Sequence, residues 1–197
     1  IKNVIFDIGN VLLDFCWKDH IARFGFQGEK ADRIAQAMML GPIWPKLDLG
    51  MENDEDILEQ FVAHTPELEQ EIRLVFSDLS TIVREYEGSV DWIESLKARG
   101  YHTYYLSNYG DRIRREAAKE LSFLPHMDGG IMSYTVHLAK PDPAIYQALM
   151  ERYGLKAEEC VFLDDTVRNV EAARALGMAG IVVTSQEQAK KELETLL

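Results

Sequence analysis

Short apolar runs alternate along the chain with amphipathic stretches. The first run, Val-Ile-Phe-Asp at 4–7, is rich in β-branched and aromatic residues, ends in a carboxylate and is followed by a turn containing Gly9. Such a run predicts a strand that is buried on both faces. Comparable runs at 101–106, 130–133, 160–163 and 180–183 predict four further strands.

Helical periodicity fills the intervals between these strands, at 89–100, 111–121, 142–153 and 167–176. Ser89 is the expected N-cap of the first of these helices, and Gly100 is expected to end it. Asp142 is the expected N-cap of the third, with Pro143 at its first position. Strands separated by helices predict a mostly parallel sheet with right-handed crossovers. We therefore expect an α/β, Rossmann-like fold with helices on both faces of the sheet.

The interval between the first two predicted strands of this sheet, 15–87, is different because it shows no convincing strand. Helical patterns occupy 29–40, 53–64 and 67–86. About 70 residues of helix is far more than one crossover needs. We expect 15–87 to be an inserted helical cap, and 1–14 together with 88–197 to form the Rossmann-like core.

A segment with two prolines, 41–48, interrupts the helical patterns of this insert and carries Trp44 and Lys46. Prolines at these positions break a helix on both sides. The segment could line a substrate pocket, or it could be an ordinary connecting loop with a packing Trp. The large apolar residues of the insert are expected in its core: Met38, Met39, Trp44 and Met51.

Length, composition and charge exclude several classes of function. A chain of 197 residues can form one full domain, or a core domain with a smaller insert. The net charge of -12 argues against binding to nucleic acid or anionic membranes, which use surplus Lys and Arg. No stretch approaches the roughly 20 apolar residues of a spanning helix. The absence of a signal peptide favours a cytoplasmic protein.

The two cysteines, Cys16 and Cys160, lie far apart and form no C-x-x-C pair. Neither a disulfide framework nor a structural zinc site is indicated. We expect both to be buried thiols, which suits a reducing compartment.

Polar residues follow the predicted strands where each strand ends: Asp7, Ser107, Asn108, Asp164 and Asp165, with Lys140 just before a helix. Each one alone is explained by a turn, a helix cap or a solvated surface. The carboxyl ends of parallel strands lie at one edge of a sheet, where such folds bind ligands. We therefore expect these side chains to meet.

The predicted cluster has a coherent chemistry. The carboxylates of Asp7 and Asp165, with the backbone carbonyl of Gly9, are hard oxygen ligands suited to Mg²⁺. A bound cation and Lys140 would keep neighbouring acids ionised. The Ser107 hydroxyl and Lys140 can hold the oxygens of a phosphoryl group, which leaves Asp7 free to attack as a nucleophile.

Four motifs resemble those of the haloacid dehalogenase-like hydrolase superfamily. They are Phe-Asp-Ile-Gly-Asn-Val at 6–11, Leu-Ser-Asn at 106–108, Lys-Pro-Asp-Pro at 140–143 and Phe-Leu-Asp-Asp-Thr at 162–166. The resemblance covers essentially the whole chain, including the inserted cap. It is closest to the glucose-1-phosphatase-like branch and to the N-terminal phosphatase domain of epoxide hydrolases.

The resemblance implies a Mg²⁺-dependent phosphatase that works through an aspartyl-phosphate. Asp7 would be the nucleophile and a metal ligand, with the Gly9 carbonyl and Asp165 as further ligands. Asp164 would act through water or as an alternative ligand. Phosphate would be bound by Ser107 and Asn108, and Lys140 would steady both the nucleophile and the transferring group.

One position departs from the family pattern. Most phosphatases of the superfamily carry a second Asp two residues after the nucleophile, which protonates the leaving group and later activates water, whereas this chain has Gly9. Asp14 and His20 are the nearest candidate substitutes by sequence. The leaving group could also depart with help from Mg²⁺ and solvent alone. Without this acid, hydrolysis of glycosyl phosphates and other esters with good leaving groups would be slowed least, which fits a sugar phosphatase.

Three functions follow as hypotheses. The first is a Mg²⁺-dependent phosphatase acting on a small phosphorylated metabolite. The second is a 2-haloacid dehalogenase, which also lacks the second Asp but needs no metal, so that the Asp164-Asp165 pair argues against it. The third is a non-catalytic module that binds a phosphorylated ligand, since a fold alone does not fix a function. The identity of the substrate and the oligomeric state are not encoded in these patterns.

Overall fold

A computed structural model describes all residues of the chain, Ile1–Leu197. The strands are β1 (Asn3–Phe6), β2 (Leu13–Phe15), β3 (Val83–Glu85), β4 (His102–Ser107), β5 (Gly129–Met132), β6 (Cys160–Asp164) and β7 (Ala179–Val182). The α-helices are α1 (Trp17–Arg23), α2 (Gly28–Ala37), α3 (Trp44–Leu49), α4 (Asp54–His64), α5 (Glu69–Phe76), α6 (Ser89–Ala98), α7 (Asp111–Glu116), α8 (Pro143–Tyr153), α9 (Val167–Ala175) and α10 (Gln186–Glu194).

Five strands form a parallel sheet in the order β5-β4-β1-β6-β7, with β1 at its centre. Successive side chains of a strand point to opposite faces. In β1, Val4 and Phe6 join one apolar cluster with residues of α6 and α10, and Ile5 joins another with residues of α8 and α9. Helices therefore cover both faces, and the predicted α/β, Rossmann-like fold is confirmed.

The inserted segment contains α1 to α5 and is flanked by β2 and β3, which pair antiparallel with Asp14 opposite Arg84. The prediction that 15–87 lacks a strand is wrong at Val83–Glu85. The helix expected over 67–86 ends at Phe76, where the Asp78 carboxylate accepts a hydrogen bond from Ser80 N and favours a turn. The apolar residues beyond it are buried although they are not helical.

The predictions for two helix caps, for segment 41–48 and for the core residues of the insert are confirmed only in part. Asp142 caps α8 as predicted, by accepting a hydrogen bond from Ala144 N. Ser89 is not an N-cap: it is the first residue of α6, and its hydroxyl donates to the Leu12 carbonyl. Most of 41–48 is not a loop, because α3 begins at Trp44. The residues expected in the core are buried except Met51, whose exposed fraction is 73%.

Both cysteines are buried free thiols, as predicted. None of the helices combines the length and the apolarity that crossing a bilayer requires.

Candidate active site

The site lies at the carboxyl ends of β1, β4 and β6, where a cavity of about 230 Å³ opens. Asp7 follows β1 directly. Its backbone N–H donates to the Leu163 carbonyl at 2.8 Å, which continues the pairing with β6 by one residue. Its Oδ1 accepts a hydrogen bond from Ile8 N at 2.7 Å. The strand end and the following turn thus fix this carboxylate at the bottom of the cavity.

Lys140 joins two carboxylates below the cavity. Its Nζ lies 2.9 Å from Asp7 Oδ1 and 2.6 Å from Asp164 Oδ2. The Lys140 side chain is 1% exposed and that of Asp164 is fully buried. A buried charge is tolerated only when it is paired and hydrogen-bonded, so these three groups depend on one another.

Asp164 is saturated with hydrogen-bond donors. Besides Lys140, it accepts from Thr166 N at 2.8 Å and from Asn169 Nδ2 at 3.1 Å. Asp164 does not line the cavity. The structure therefore gives it the geometry of a residue that positions Lys140, rather than that of an open metal ligand.

The pKa values of the buried groups reflect this network. Burial raises the pKa of Asp7 to about 7; Lys140 opposes the shift, and the negative charge of Asp164 adds to it. Burial disfavours the charged form of Lys140, but the two carboxylates outweigh this effect and raise its pKa above the ordinary value. Lys140 is therefore an ammonium at neutral pH, and it favours the ionised form of Asp7.

Asp165 is the acid at the open side of the cluster. It is half-buried, lines the cavity and accepts a hydrogen bond from Asn10 Nδ2 at 2.9 Å. Asn10 adopts the left-handed conformation, with φ 56°, which Asn tolerates better than most residues. This turn directs its side chain at Asp165. Asn10 was not among the predicted site residues, although an Asn in a turn beside a candidate acid is a recognisable signal.

Three acids, Asp7, Asp164 and Asp165, come together at the site, and one carboxylate oxygen of each lies within 4.8 Å of the others. Because the oxygens of Asp164 are engaged by its donors, Asp7 and Asp165 are the carboxylates open to a hard cation. Gly9, the expected donor of a backbone carbonyl, lines the same cavity. Oxygen-only donors with two accessible carboxylates suit Mg²⁺ better than softer metals. A divalent ion there would supply positive charge against the oxygens of a bound phosphoryl group.

Ser107 and Asn108 follow β4 and line the cavity. The Ser107 hydroxyl lies near Asp7 and contributes to lowering its pKa. The Asn108 side chain is engaged with Lys140: its Nδ2 donates to the Lys140 carbonyl at 3.0 Å, and its Oδ1 accepts from Lys140 N at 2.8 Å. The side chain of Asn108, expected to bind phosphate, is thus used to hold the backbone of Lys140.

The two acids suggested in place of Gly9 are not brought to the cavity. Asp14 lies on β2 opposite Arg84 and is not among the lining residues. The His20 ring is fully buried in the insert, with its nitrogens 2.9 Å from Thr81 Oγ1 and 3.2 Å from the Val75 carbonyl. Burial lowers its pKa. His20 therefore has the contacts of a packing residue.

Two residues of α3 line the same cavity as Asp7, namely Trp44 and Asp48. The sequence indicated that 41–48 could line a pocket, and these two residues do so. It gave no reason to single out Asp48, because its position depends on how the insert packs against the sheet.

The geometry combines a buried carboxylate, an ammonium group that holds it, and acids suited to a divalent cation. This arrangement can hydrolyse an ester through attack by a carboxylate and stabilise the negative charge that develops. The fold and the site therefore define a hydrolase of the α/β class.

The chain belongs to the haloacid dehalogenase-like hydrolase family, which matches residues 1–177. The resemblance drawn from the four motifs and the assignment as a hydrolase are thereby confirmed. Bifunctional epoxide hydrolase 2 of Sus scrofa is 38% identical over 104 residues, which are 51% of this chain and 19% of that protein. The chain thus matches about a fifth of the length of this relative.

A relative of similar size is the sesquiterpene phosphatase astK of Aspergillus oryzae, 25% identical over the whole chain and 96% of that protein. Among solved structures, the HAD family enzyme bt-2542 of Bacteroides thetaiotaomicron, complexed with magnesium and inorganic phosphate, shares the fold. The two superimpose with a TM-score of 0.72 and 22% identity over 94% of this chain and 95% of the other.

Proposed function

We propose that this protein is a Mg²⁺-dependent phosphatase that hydrolyses a small phosphorylated metabolite through an aspartyl-phosphate at Asp7. The observation that carries the proposal is the buried arrangement of Asp7, Lys140 and Asp164 beside the more open Asp165. The name of the phosphatase relative and the magnesium and phosphate bound by the structural relative support the same chemistry.

In this mechanism, Asp7 attacks phosphorus and the bond to the leaving oxygen breaks. Water then attacks phosphorus, which releases phosphate and restores the carboxylate. Lys140 neutralises the oxygens of the transferring group while it holds Asp7 in place, and Ser107 binds another of these oxygens. Mg²⁺, held by Asp7, Asp165 and the Gly9 carbonyl, would supply charge stabilisation.

The cavity supports the proposal of a small substrate. A volume of about 230 Å³ suits a phosphoryl group with a small organic part. Trp44 is an apolar residue of the cavity lining, and it can pack on the carbon skeleton of a sugar phosphate. We further propose that 15–87 acts as a cap whose α3 selects the substrate, and that the protein works in the cytoplasm.

A panel of phosphorylated metabolites, assayed for phosphate release with and without Mg²⁺, tests this proposal. We expect hydrolysis of at least one sugar phosphate and of 4-nitrophenyl phosphate, lost on chelation and in Asp7→Asn. Exposed Asp32 of α2 provides the matched control, because Asp32→Asn makes the same change outside the cavity. Metal-independent hydrolysis, or turnover by Asp7→Asn, would contradict the mechanism.

The same preparation separates the two alternatives. Halide release from a 2-haloacid without Mg²⁺ would identify a dehalogenase. Binding of phosphorylated ligands without any turnover across the panel would identify a non-catalytic module. Asp165 favours a phosphatase over a dehalogenase. Its carboxylate adds negative charge to the cavity, and a site without a metal ion would have no divalent cation to balance that charge.

A further inference from the structure

Gly9 cannot supply the acid that the proposed reaction needs to protonate the leaving group. The cavity contains one acidic residue that is not part of the group of acids suited to a cation. The acidic residues that line the cavity are Asp7, Asp165 and Asp48. Asp7 and Asp165 belong to the group suited to a cation, and Asp48 does not. Asp48 lies on α3, within the insert, and lines the same cavity.

The position of Asp48 is fixed by contacts between α3 and the core. The Ser133 hydroxyl donates to the Asp48 carbonyl at 2.5 Å, and the same Ser133 oxygen accepts from Tyr109 N at 2.9 Å. Ser133 thus connects Asp48 to the segment that follows β4. Nδ1 of His137 lies 2.9 Å from the Leu49 carbonyl.

Glycines allow the same helix to approach closely. A Cβ at Gly110 would lie 3.2 Å from the side chain and carbonyl of Leu47. A Cβ at Gly50, which ends α3 with φ 64°, would lie 2.8 Å from Tyr134 Cβ. The backbone around Asp48 is therefore held against the core on both sides.

The carboxyl group of Asp48, by contrast, has no partner. It forms no hydrogen bond and no ion pair, although the residue is only partly exposed. The nearby Lys46 side chain is directed elsewhere, to Gln60 and Glu52. Asp48 thus has a backbone that is held in place by its contacts and a carboxyl group that is free to interact with a ligand in the cavity. Residues that act on a bound ligand need this combination.

We propose that Asp48 protonates the leaving group and then activates the hydrolytic water, in place of the side chain that Gly9 lacks. This inference rests on the proposed phosphatase function. As Asp7 forms its bond to phosphorus, the leaving oxygen keeps the electron pair of the broken bond and takes the proton of Asp48. The resulting Asp48 carboxylate then takes a proton from the water that attacks phosphorus, so the enzyme returns to its starting state.

The charges around Asp48 suit this role. Burial raises the pKa of Asp48 to about 7; the negative charge of Asp7 adds to this shift and Lys140 opposes it. Asp165 and Tyr109 are the other titratable groups that line the cavity. Burial raises the pKa of Tyr109 well above its ordinary value, so its hydroxyl is a weak acid at neutral pH. A group with a pKa near 7 serves as both acid and base at neutral pH.

Leaving-group dependence tests the inference directly. The substrates are benzyl phosphate, whose alkoxide must be protonated, and 4-nitrophenyl phosphate, whose phenolate leaves without a proton. We expect Asp48→Asn to lower kcat/KM for benzyl phosphate by about 100-fold or more, and for 4-nitrophenyl phosphate by less than about 10-fold. Slower water attack should also produce a pre-steady-state burst of 4-nitrophenol in this variant.

Three further variants keep the test conclusive. Asp48→Glu retains the carboxyl group and should recover part of the activity on benzyl phosphate, which excludes a folding defect. Asp14→Asn and Tyr109→Phe test the competing proton donors. Neither variant should lose more kcat/KM on benzyl phosphate than on 4-nitrophenyl phosphate. Equal losses on both substrates in Asp48→Asn, or a selective loss in Asp14→Asn or Tyr109→Phe instead, would overturn the inference.

These outcomes are distinct from failure of the proposed function. If the wild-type chain with Mg²⁺ hydrolyses neither ester, the phosphatase proposal fails and the inference fails with it. If the wild type hydrolyses both esters, the relative losses of kcat/KM in the variants test the role of Asp48 alone.

Discussion

Removal of Lys140 is expected to destabilise the fold strongly, because it leaves two carboxylates buried without a cation. In Lys140→Met the aliphatic stem is retained while Nζ, which lies 2.9 Å from Asp7 and 2.6 Å from Asp164, is lost. Loss of one partner from a buried ion pair costs about 3–5 kcal/mol. For a chain of this size, each kcal/mol lowers Tm by about 2–4 °C, so we expect a decrease of about 6–20 °C.

The effect should depend on pH in a defined direction. Burial already raises the pKa of Asp7 to about 7, against an ordinary value of 3.8, and the loss of Lys140 removes a group that opposes this shift. A carboxyl group with a raised pKa in the folded state binds protons more tightly than in the unfolded state. Stability therefore falls as pH rises from about 4 through the folded pKa. The deficit of Lys140→Met should be larger at pH 8 than at pH 5.

Thermal unfolding followed by circular dichroism in the presence of EDTA measures this effect. Lys2→Met is the matched control, because the Lys2 side chain is 68% exposed and its 2.7 Å ion pair with Glu159 lies at the surface. We expect a change below about 1 kcal/mol for this control. If Lys140→Met melts at the wild-type temperature at pH 8, or if its deficit does not change with pH, the account of the buried triad is wrong.

Three other predictions follow from the same site. Gly9→Asp in the Asp48→Asn background should restore turnover of benzyl phosphate, because a Cβ at Gly9 meets no atom within 4 Å; an unchanged double variant would show that the defect is more than a missing proton. Asp165→Asn should abolish the increase in Tm that Mg²⁺ gives the wild type, and equal shifts in both proteins would place the ion elsewhere. In EDTA at pH 8, Asp48→Asn should be more stable than the wild type by about 4 kcal/mol at most, since Asp48, with its pKa raised to about 7, is ionised there at a cost that Asn avoids. Lower stability in the variant would contradict this pKa.

The core of the site was predictable from the sequence because strand ends of a parallel sheet must meet. Asp7 and Asp164 are close in the structure for this reason, whereas Lys140 reaches them from the segment that precedes α8. Local signals such as the Asp142 cap of α8 were equally readable. Asn108 shows the limit of this reasoning. Its place at the end of β4 was predictable, but its hydrogen bonds with the backbone of Lys140 depend on the path of another segment.

Features that depend on long-range pairing were missed. Strand β3 has three residues, and its partner β2 lies at the other end of the insert, so that no local pattern distinguishes it from the helical stretch before it. Asp48 was missed for a related reason: its contact with the core through Ser133 exists only once the insert is folded onto the sheet.

The aspartyl-phosphate proposed at Asp7 is tested most directly by trapping it during turnover. The protein is mixed with 4-nitrophenyl phosphate and Mg²⁺ and quenched in acid during turnover. Borohydride then reduces any aspartyl-phosphate to homoserine, which peptide mass spectrometry locates. We predict homoserine at position 7, dependent on Mg²⁺ and more abundant in Asp48→Asn. Turnover without modification at Asp7, or modification of a different residue, would contradict the account.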